Sequence, residues 1–218
     1  MTKNSLSIRE RAGPVLREFE GVRVEKLRCF VAISLPEALK AKISGIQDSL
    51  KTAGADVSWT RQEGMHLTLK FLGEVEEKMI PEIERALDMA VDGITTFTLS
   101  VSGMGIFPDL KRPRVVWIGL KEEGNNLIKL HKGVEEELEK IEFPSEDRRF
   151  TPHITLGRIR SNRYIEKLFK LIDAEKGIDT GGFEVSEIHL IKSELKPSGA
   201  VYTELYSVIL SSGASCEI

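Results

Sequence analysis

Hydrophobic positions along the chain follow two periods, one typical of strands and the other of helices. Segment 27–34 is an almost continuous apolar run and predicts a buried strand, whereas apolar residues recur every three or four positions in 37–52 and predict a helix. The same criteria predict strands at 27–34, 57–60, 65–75, 97–108, 114–120, 153–160, 183–195 and 201–210, and helices at 37–52, 76–93, 123–142 and about 163–175. Helices are separated by pairs of strands more often than by single strands, which favours an α+β fold with a largely antiparallel sheet.

Length and composition are those of an ordinary globular protein. The 218 residues are 41% hydrophobic and 30% charged, which excludes the disordered, collagen-like and coiled-coil classes. This length suits one large domain or two small interleaved ones. The net charge of −3 argues against a protein that binds along duplex DNA, because such proteins need a basic face. A small anionic ligand held by a few local cations remains compatible with it.

Neither the cysteines nor the N-terminal segment indicates a functional site. Cys29 lies in an apolar run and is expected to be a buried free thiol, and its distance from Cys216 argues against a disulfide framework or a Cys-rich metal site. We expect no membrane span and no secretory signal, and therefore a cytoplasmic protein. The charge-rich segment 1–26 is expected to be an N-terminal extension, followed by a single domain over 27–212.

The sharpest chemical signal is a short motif that occurs twice. HLTL begins at His66 and HITL begins at His153, and each follows a predicted helix and opens or nearly opens a predicted strand. Side chains alternate between the faces of a strand, so His66 shares a face with Thr68, and His153 shares a face with Thr155. The apolar residues of each motif then point into the core. Two of only four histidines stand in this motif, which also indicates an internal repeat.

Two such units facing each other across a groove can perform acid–base catalysis on a phosphate. Imidazole titrates near neutrality, so one histidine can accept a proton and the other can donate one. The two hydroxyls can donate hydrogen bonds to phosphate oxygens. The alternatives are structural histidines or a zinc site, although threonine is a poor zinc ligand and no HxH or HxxxH spacing occurs. His131 and His189 lack a threonine two residues later and are assigned to structure or surface.

The residues around these motifs resemble the 2H phosphoesterase superfamily. The segments that carry the resemblance are RCFVAISLPE (28–37), HLTLKFLGEV (66–75), RPRVVWIGL (112–120) and FTPHITLGRIR (150–160). They are most similar to its RNA 2′,3′-cyclic phosphodiesterase branch, also called the 2′-5′ RNA ligase family, over about 28–210. The resemblance implies a bilobed α+β fold, with two pseudo-symmetric antiparallel β-sheet/α-helix lobes and the active-site cleft between them. It implies no cofactor and no metal.

The resemblance also implies an activity and a role for each motif residue. The expected reaction is hydrolysis of a 2′,3′-cyclic phosphate at an RNA or nucleotide end, which leaves a 2′-phosphate. By analogy, His153 is the general base on water and His66 the general acid, although the pseudo-symmetry leaves this order open. Thr68 and Thr155 are expected to hold the phosphate. The implied partners are RNA ends or nucleotides that carry a cyclic phosphate, and we expect a monomer.

Two positions, each five residues after a motif histidine, are implied to contact the nucleotide. They are Phe71, by stacking, and Arg158, by charge or by stacking on the base. An odd offset puts a side chain on the opposite face of a flat strand, so either the strands twist or end there, or Phe71 is a core residue. Further basic candidates near predicted strand ends are Arg112, Arg114, Arg148 and Arg149.

Three other functions are compatible with the pattern. The first is end-joining of a cyclic phosphate to a 5′-hydroxyl, which uses related chemistry. The second is a non-catalytic module that binds a nucleotide or an RNA end, although binding alone does not need a paired acid and base. The third is an RNA-binding scaffold, against which the aromatic content of 6% and the net charge of −3 argue.

Overall fold

The computed structural model describes residues 25–212, except 176, 178–180 and 198. Cys216 and almost all of the expected N-terminal extension, 1–26, lie outside the described residues. The strands and α-helices of the described part are β1 Lys26–Ser34, α1 Glu37–Lys51, β2 Val57–Trp59, β3 His66–Glu76, α2 Ile80–Ala90, β4 Phe97–Phe107, β5 Val115–Lys121, α3 Asn126–Glu139, β6 His153–Ile159, α4 Ile165–Ala174, β7 Gly182–Val185, β8 Glu187–Lys196 and β9 Gly199–Ile209.

Local sequence signals set the beginnings of two helices. Pro36 immediately precedes α1, where its missing N–H costs nothing, and its carbonyl oxygen accepts the first two helical hydrogen bonds. The carboxylate of Glu122 accepts hydrogen bonds from the first two amides of α3, those of Asn126 and Leu127, at 3.1 and 2.8 Å. A carboxylate is favourable there because the N-terminus of a helix carries partial positive charge.

The strands form one antiparallel sheet. Its order is β7-β4-β5-β6-β3-β1-β8-β9, and β2 pairs with β6 beside this path. Every pairing between these strands is antiparallel. The predicted α+β class with a largely antiparallel sheet is therefore confirmed.

The sheet is curled, and this curl corrects one predicted element. Segment 183–195 was expected to be a single strand, but Ser186 divides it into β7 at one edge of the sheet and β8 near the other. A one-residue connection can join these positions only if the two ends of the sheet approach each other. The amide of Leu210, just beyond β9, accordingly donates to the carbonyl oxygen of Ser186 at 2.8 Å.

The main hydrophobic core lies on one face of this sheet. All four α-helices contribute their buried apolar residues to the same cluster as the strands. The opposite face carries a much smaller buried cluster, which consists of strand residues alone: Phe30, Ala32 and Ile191. One face of the sheet is thus covered by helices, and the other is available for a site.

The two halves of the sheet meet at a narrow junction. Strands β7, β4, β5 and β6 form one half, and β3, β1, β8 and β9 form the other. The junction between β6 and β3 has a single registered residue pair, Leu67 with Ile154, whereas β1 and β3 are paired along their whole length. The two halves therefore agree with the expected two-lobed arrangement.

Candidate active site

The junction between the halves brings the two motifs together. Leu67 and Ile154 are the paired residues, and both side chains are completely buried in the core. In an antiparallel register, their neighbours His66 and Thr155 then stand opposite each other, as do Thr68 and His153. These four side chains occupy the face away from the helices. The two histidines are diagonal neighbours, a relation in which residues of adjacent strands lie about 7–8 Å apart.

Each motif strand contains an irregularity at the same position after its histidine. In β3, Thr68 and Lys70 pair with the adjacent residues of β1, so Leu69 is an extra residue. In β6, Thr155 and Gly157 likewise pair with adjacent residues of β5, so Leu156 is extra. An extra residue of this kind is a β-bulge, and it reverses the alternation of side chains beyond it.

The bulges explain how Phe71 and Arg158 can accompany the histidines despite their odd offset. The Phe71 side chain is 59% exposed, so it is not a core residue, and Arg158 is also exposed. Because the alternation reverses once between each histidine and the residue five positions later, both residues lie on the face that carries the histidines and threonines. Their contact with a nucleotide remains a prediction.

Aromatic rings enclose both histidines. The ring of His66 stacks on Phe30 with centroids 4.7 Å apart and meets Tyr202 edge-on at 5.5 Å. Sequence reasoning did not identify these neighbours. Phe30 stands in the apolar run of β1, where its pattern resembles that of a core residue, and Tyr202 comes from the distant β9.

The second histidine has an equivalent surrounding. Phe107 meets the ring of His153 edge-on at 4.9 Å, and Trp117 lies 6.4 Å away. Trp117 is paired with Thr155 and stacks on Phe107 at 4.9 Å. A Cβ atom on Gly105 would lie 2.3 Å from the Trp117 ring, so the ring can occupy this position only because residue 105 has no side chain. The rings limit the rotation of both imidazoles.

Each motif histidine hydrogen-bonds the backbone two residues upstream. Nδ1 of His153 lies 2.7 Å from the carbonyl oxygen of Thr151. A carbonyl oxygen can only accept a hydrogen bond, so Nδ1 carries the hydrogen and Nε2 of neutral His153 is left to accept a proton. His66 also hydrogen-bonds the backbone of a residue two positions upstream, Gly64.

The electrostatic surroundings of His66 favour its neutral form. Burial, and secondarily the nearby Lys40 ammonium group, lower the pKa of His66 to about 4, against the opposing effect of the Gly64 hydrogen bond. Lys40 is mostly buried and pairs with Glu37 at 2.8 Å. His66 is therefore neutral at physiological pH in the free protein, and an anion beside it would raise its pKa.

The remaining candidates belong to neither motif. The ring of His131 stacks on Phe150 at 3.8 Å, and Nδ1 of buried His189 lies 2.9 Å from a carboxylate oxygen of Glu204. The other basic candidates are all exposed: Arg112, Arg114, Arg148 and Arg149. Within the described ranges, no three His, Cys, Asp or Glu side chains are close enough to hold a metal ion. In the same part of the chain, no helix has the length and apolarity that crossing a membrane requires.

Comparison with known families decides which family this site belongs to. The model of the LigT-like phosphoesterases matches the chain twice, at residues 33–117 and 118–202. Each match contains one of the two motifs. The chain belongs to the LigT-like phosphoesterase family. The resemblance to 2H phosphoesterases and the internal repeat expected from the two motifs are both confirmed.

Relatives with established names are matched over nearly their whole length. The chain is 38% identical over 180 residues to an RNA 2′,3′-cyclic phosphodiesterase of Methanothermobacter thermautotrophicus, and the match covers 83% of this chain and 97% of the relative. It is also 38% identical to the enzyme of the same name from Thermotoga maritima, over 86% of this chain and 97% of that one.

Solved structures of similar proteins share the fold. The crystal structure of a Thermus thermophilus protein superimposes with a TM-score of 0.71 at 28% identity, and the match covers 86% of this chain and 100% of that one. E. coli LigT in complex with 3′-AMP superimposes with a TM-score of 0.66 at 27% identity, over 85% and 99% of the two chains. The curled sheet is therefore the fold of this family.

Proposed function

We propose that the protein hydrolyses 2′,3′-cyclic phosphates at RNA or nucleotide ends to 2′-phosphates, by acid–base catalysis with two histidines and without a metal. The observation that carries the proposal is the pairing of Leu67 with Ile154, which brings both motifs to one junction. The names of the relatives support the same reaction, since they are RNA 2′,3′-cyclic phosphodiesterases at up to 38% identity.

Each motif residue has a role in this reaction. Nε2 of His153 takes a proton from water, whose oxygen attacks phosphorus. The bond between phosphorus and O3′ breaks, and His66 gives its proton to the departing O3′. The product carries a 2′-phosphate and a free 3′-hydroxyl. The hydroxyls of Thr68 and Thr155 donate hydrogen bonds to the non-bridging oxygens, where negative charge grows in the transition state.

The exposed groups beside the motifs suit the nucleoside of the substrate. Phe71 and Tyr202 offer ring faces or edges near His66, and every nucleobase has a face that stacks on an aromatic ring. Arg158 adds a cation in the other half of the groove, beyond Thr155. This small set fits the terminal nucleotide of an RNA, and the bound 3′-AMP of E. coli LigT is a ligand of that size.

Hydrolysis of a 2′,3′-cyclic mononucleotide in the presence of a chelator tests the proposal. His66→Ala and His153→Ala should each lower kcat by at least about a hundredfold, the usual scale of acid–base catalysis. Lys132→Ala is the control, because it truncates an exposed side chain of α3 and should leave the rate near that of the wild type. Activity that disappears with chelator rejects the metal-free mechanism, and full activity of either alanine variant removes that histidine from its role.

Product analysis separates hydrolysis from the alternatives. The substrate is an RNA that ends in a cyclic phosphate, offered with and without a second strand that carries a 5′-hydroxyl. Hydrolysis yields a 2′-phosphate in both cases, whereas end-joining yields a longer RNA only when the second strand is present. Binding without either product points to a non-catalytic module.

A further inference from the structure

A buried ion pair lies beneath the first motif, on the side of the sheet that the helices cover. The bulge at Leu69 turns Lys70 into the core, where its side chain is 1% exposed. There its ammonium group pairs with the carboxylate of Glu135 on α3, which is 10% exposed. A fully buried lysine is rare, and the proposed reaction does not use this one directly.

Both members of the pair hold the irregular segment 140–152, which leads from α3 to the second motif. Nζ of Lys70 donates to the carbonyl oxygen of Pro144 at 2.8 Å. The carboxylate of Glu135 accepts a hydrogen bond from the backbone amide of Glu146 at 3.2 Å. The lysine that follows the first histidine motif thus contacts the segment that leads to the second motif.

The far end of the same segment orients the second histidine. Phe150 stacks on His131 of α3, with centroids 3.8 Å apart. The next residue, Thr151, supplies the carbonyl oxygen that bonds Nδ1 of His153. A shift of segment 140–152 would therefore move the group that fixes the tautomer of His153.

The pair is better explained by positioning than by stability. Desolvation of two charges offsets most of their attraction, and an apolar pair of similar volume often replaces a buried ion pair at no net cost in stability. Apolar residues could not, however, hold the Pro144 carbonyl and the Glu146 amide. We propose that Lys70 and Glu135 are positioning residues for His153, which couple the first motif to the second. This inference rests on the proposed function of His153 as a base.

The test replaces both charges at once, because removal of only one would leave the other buried and unpaired. In Lys70→Met/Glu135→Leu we expect kcat on a 2′,3′-cyclic mononucleotide to fall between about ten- and a hundredfold, the effect of a small misplacement of a catalytic group. KM should stay within about twofold, because Thr68 and Thr155 keep their strand pairings. Long-range ¹H–¹⁵N spectra of the imidazole should show that His153 no longer holds one tautomer.

The matched control is Lys132→Met/Glu136→Leu, which removes an exposed pair of the same helix, 3.3 Å apart. It should leave kcat and the His153 spectrum unchanged. Glu135→Asp serves as a second variant in case the double variant does not fold. It keeps the charge balance but withdraws the carboxylate from the Glu146 amide, and it should give a smaller loss of kcat. The inference is overturned if kcat and the tautomer of His153 are both unchanged in the double variant or, where that does not fold, in Glu135→Asp. An inactive wild type instead refutes the proposed function, and the tautomer measurement still decides the positioning.

Discussion

The protonation of His66 gives the most quantitative test of the proposed mechanism. Burial and the Lys40 ammonium lower the pKa of His66 from 6.5 to about 4 in the free protein. At pH 7 this leaves about one molecule in a thousand protonated, and protonation then costs about 4 kcal/mol, at 1.36 kcal/mol per pH unit. A general acid must carry its proton, so the bound phosphate has to supply much of this free energy by its negative charge.

Titration of the His66 ring by NMR measures this directly. The free protein should show a midpoint near 4, and saturating nucleoside 2′-phosphate should raise the midpoint by at least about one pH unit, because an opposite charge within hydrogen-bonding distance favours the imidazolium. Lys40→Gln should raise the midpoint in the free protein, but it should stay below 6.5 since burial is the larger cause. Lys40→Arg keeps the charge and is the matched control.

The pH dependence of kcat and kcat/KM should show the same rise in the pKa of His66 on binding. The profile of kcat/KM reports the free enzyme and that of kcat the bound complex, so the limb that belongs to His66 should lie at higher pH in kcat than in kcat/KM. A midpoint near 6.5 in the free protein refutes the effect of burial on the pKa. A midpoint that the 2′-phosphate does not change would leave His66 neutral in the complex, and it would reverse the assignment and make His66 the base.

The same pKa predicts the sign of a stability change with pH. The folded pKa of His66, about 4, lies below that of the unfolded chain, so protonation favours unfolding. The contribution of His66 to stability is therefore full above about pH 6.5 and is lost as the pH falls towards 4, with about 3 kcal/mol as its upper bound. Denaturant titrations of the wild type and His66→Gln at several pH values should differ in this window, and parallel curves would contradict the shift.

Three further changes have outcomes that the packing fixes. Gly45→Ala should raise the free energy of unfolding by about 1 kcal/mol, because Gly45 lies within α1 with open space around it, and no gain in urea denaturation contradicts this. Gly105→Ala should displace the Trp117 ring and cost about 1–3 kcal/mol, and unchanged stability and Trp fluorescence would show that the ring is not confined there. In a Cys216→Ser background, the thiol of Cys29, whose pKa burial raises to about 11, should react with a thiol reagent only on unfolding, so rapid labelling of the folded protein refutes its burial.

Sequence patterns were sufficient to predict features that depend on nearby positions of one strand or helix, such as which side chains share a face. They predicted that His66 and Thr68 share a face, and the burial of Leu67 and Leu69 is in accord with it. They failed over 183–195, where two strands follow each other almost without a break. The signal was present: the residues of the main core are odd-numbered up to Val185 and continue with the even-numbered Ile188 and Leu190, so the alternation changes phase at Ser186.

Contacts between distant strands were not readable in this way. The aromatic rings around the histidines come from other strands, and their neighbourhood follows from strand order and register rather than from local pattern. Phe30 and Trp117 each stand in an apolar strand, where an aromatic residue is usually part of the core. Only the pairing of these strands with β3 and β6 brings the rings to the catalytic face.

Residues next to the two bulges interrupt the hydrophobic pattern. Gln47 interrupts the buried face of α1, and its amide nitrogen donates to the carbonyl oxygen of Leu156, the extra residue of β6, at 2.9 Å. Gly157 follows the same bulge, and a side chain there would meet Val57 of β2 at 2.6 Å. Lys70 follows the bulge of β3 and reaches the segment before β6. Gln47 thus hydrogen-bonds a bulge residue directly, whereas Gly157 and Lys70 each follow a bulge and contact neighbouring parts of the chain. The bulge of β6 brings Arg158 to the catalytic face, so the buried Gln47, which bonds this bulge, belongs to the architecture of the site as much as the exposed residues do.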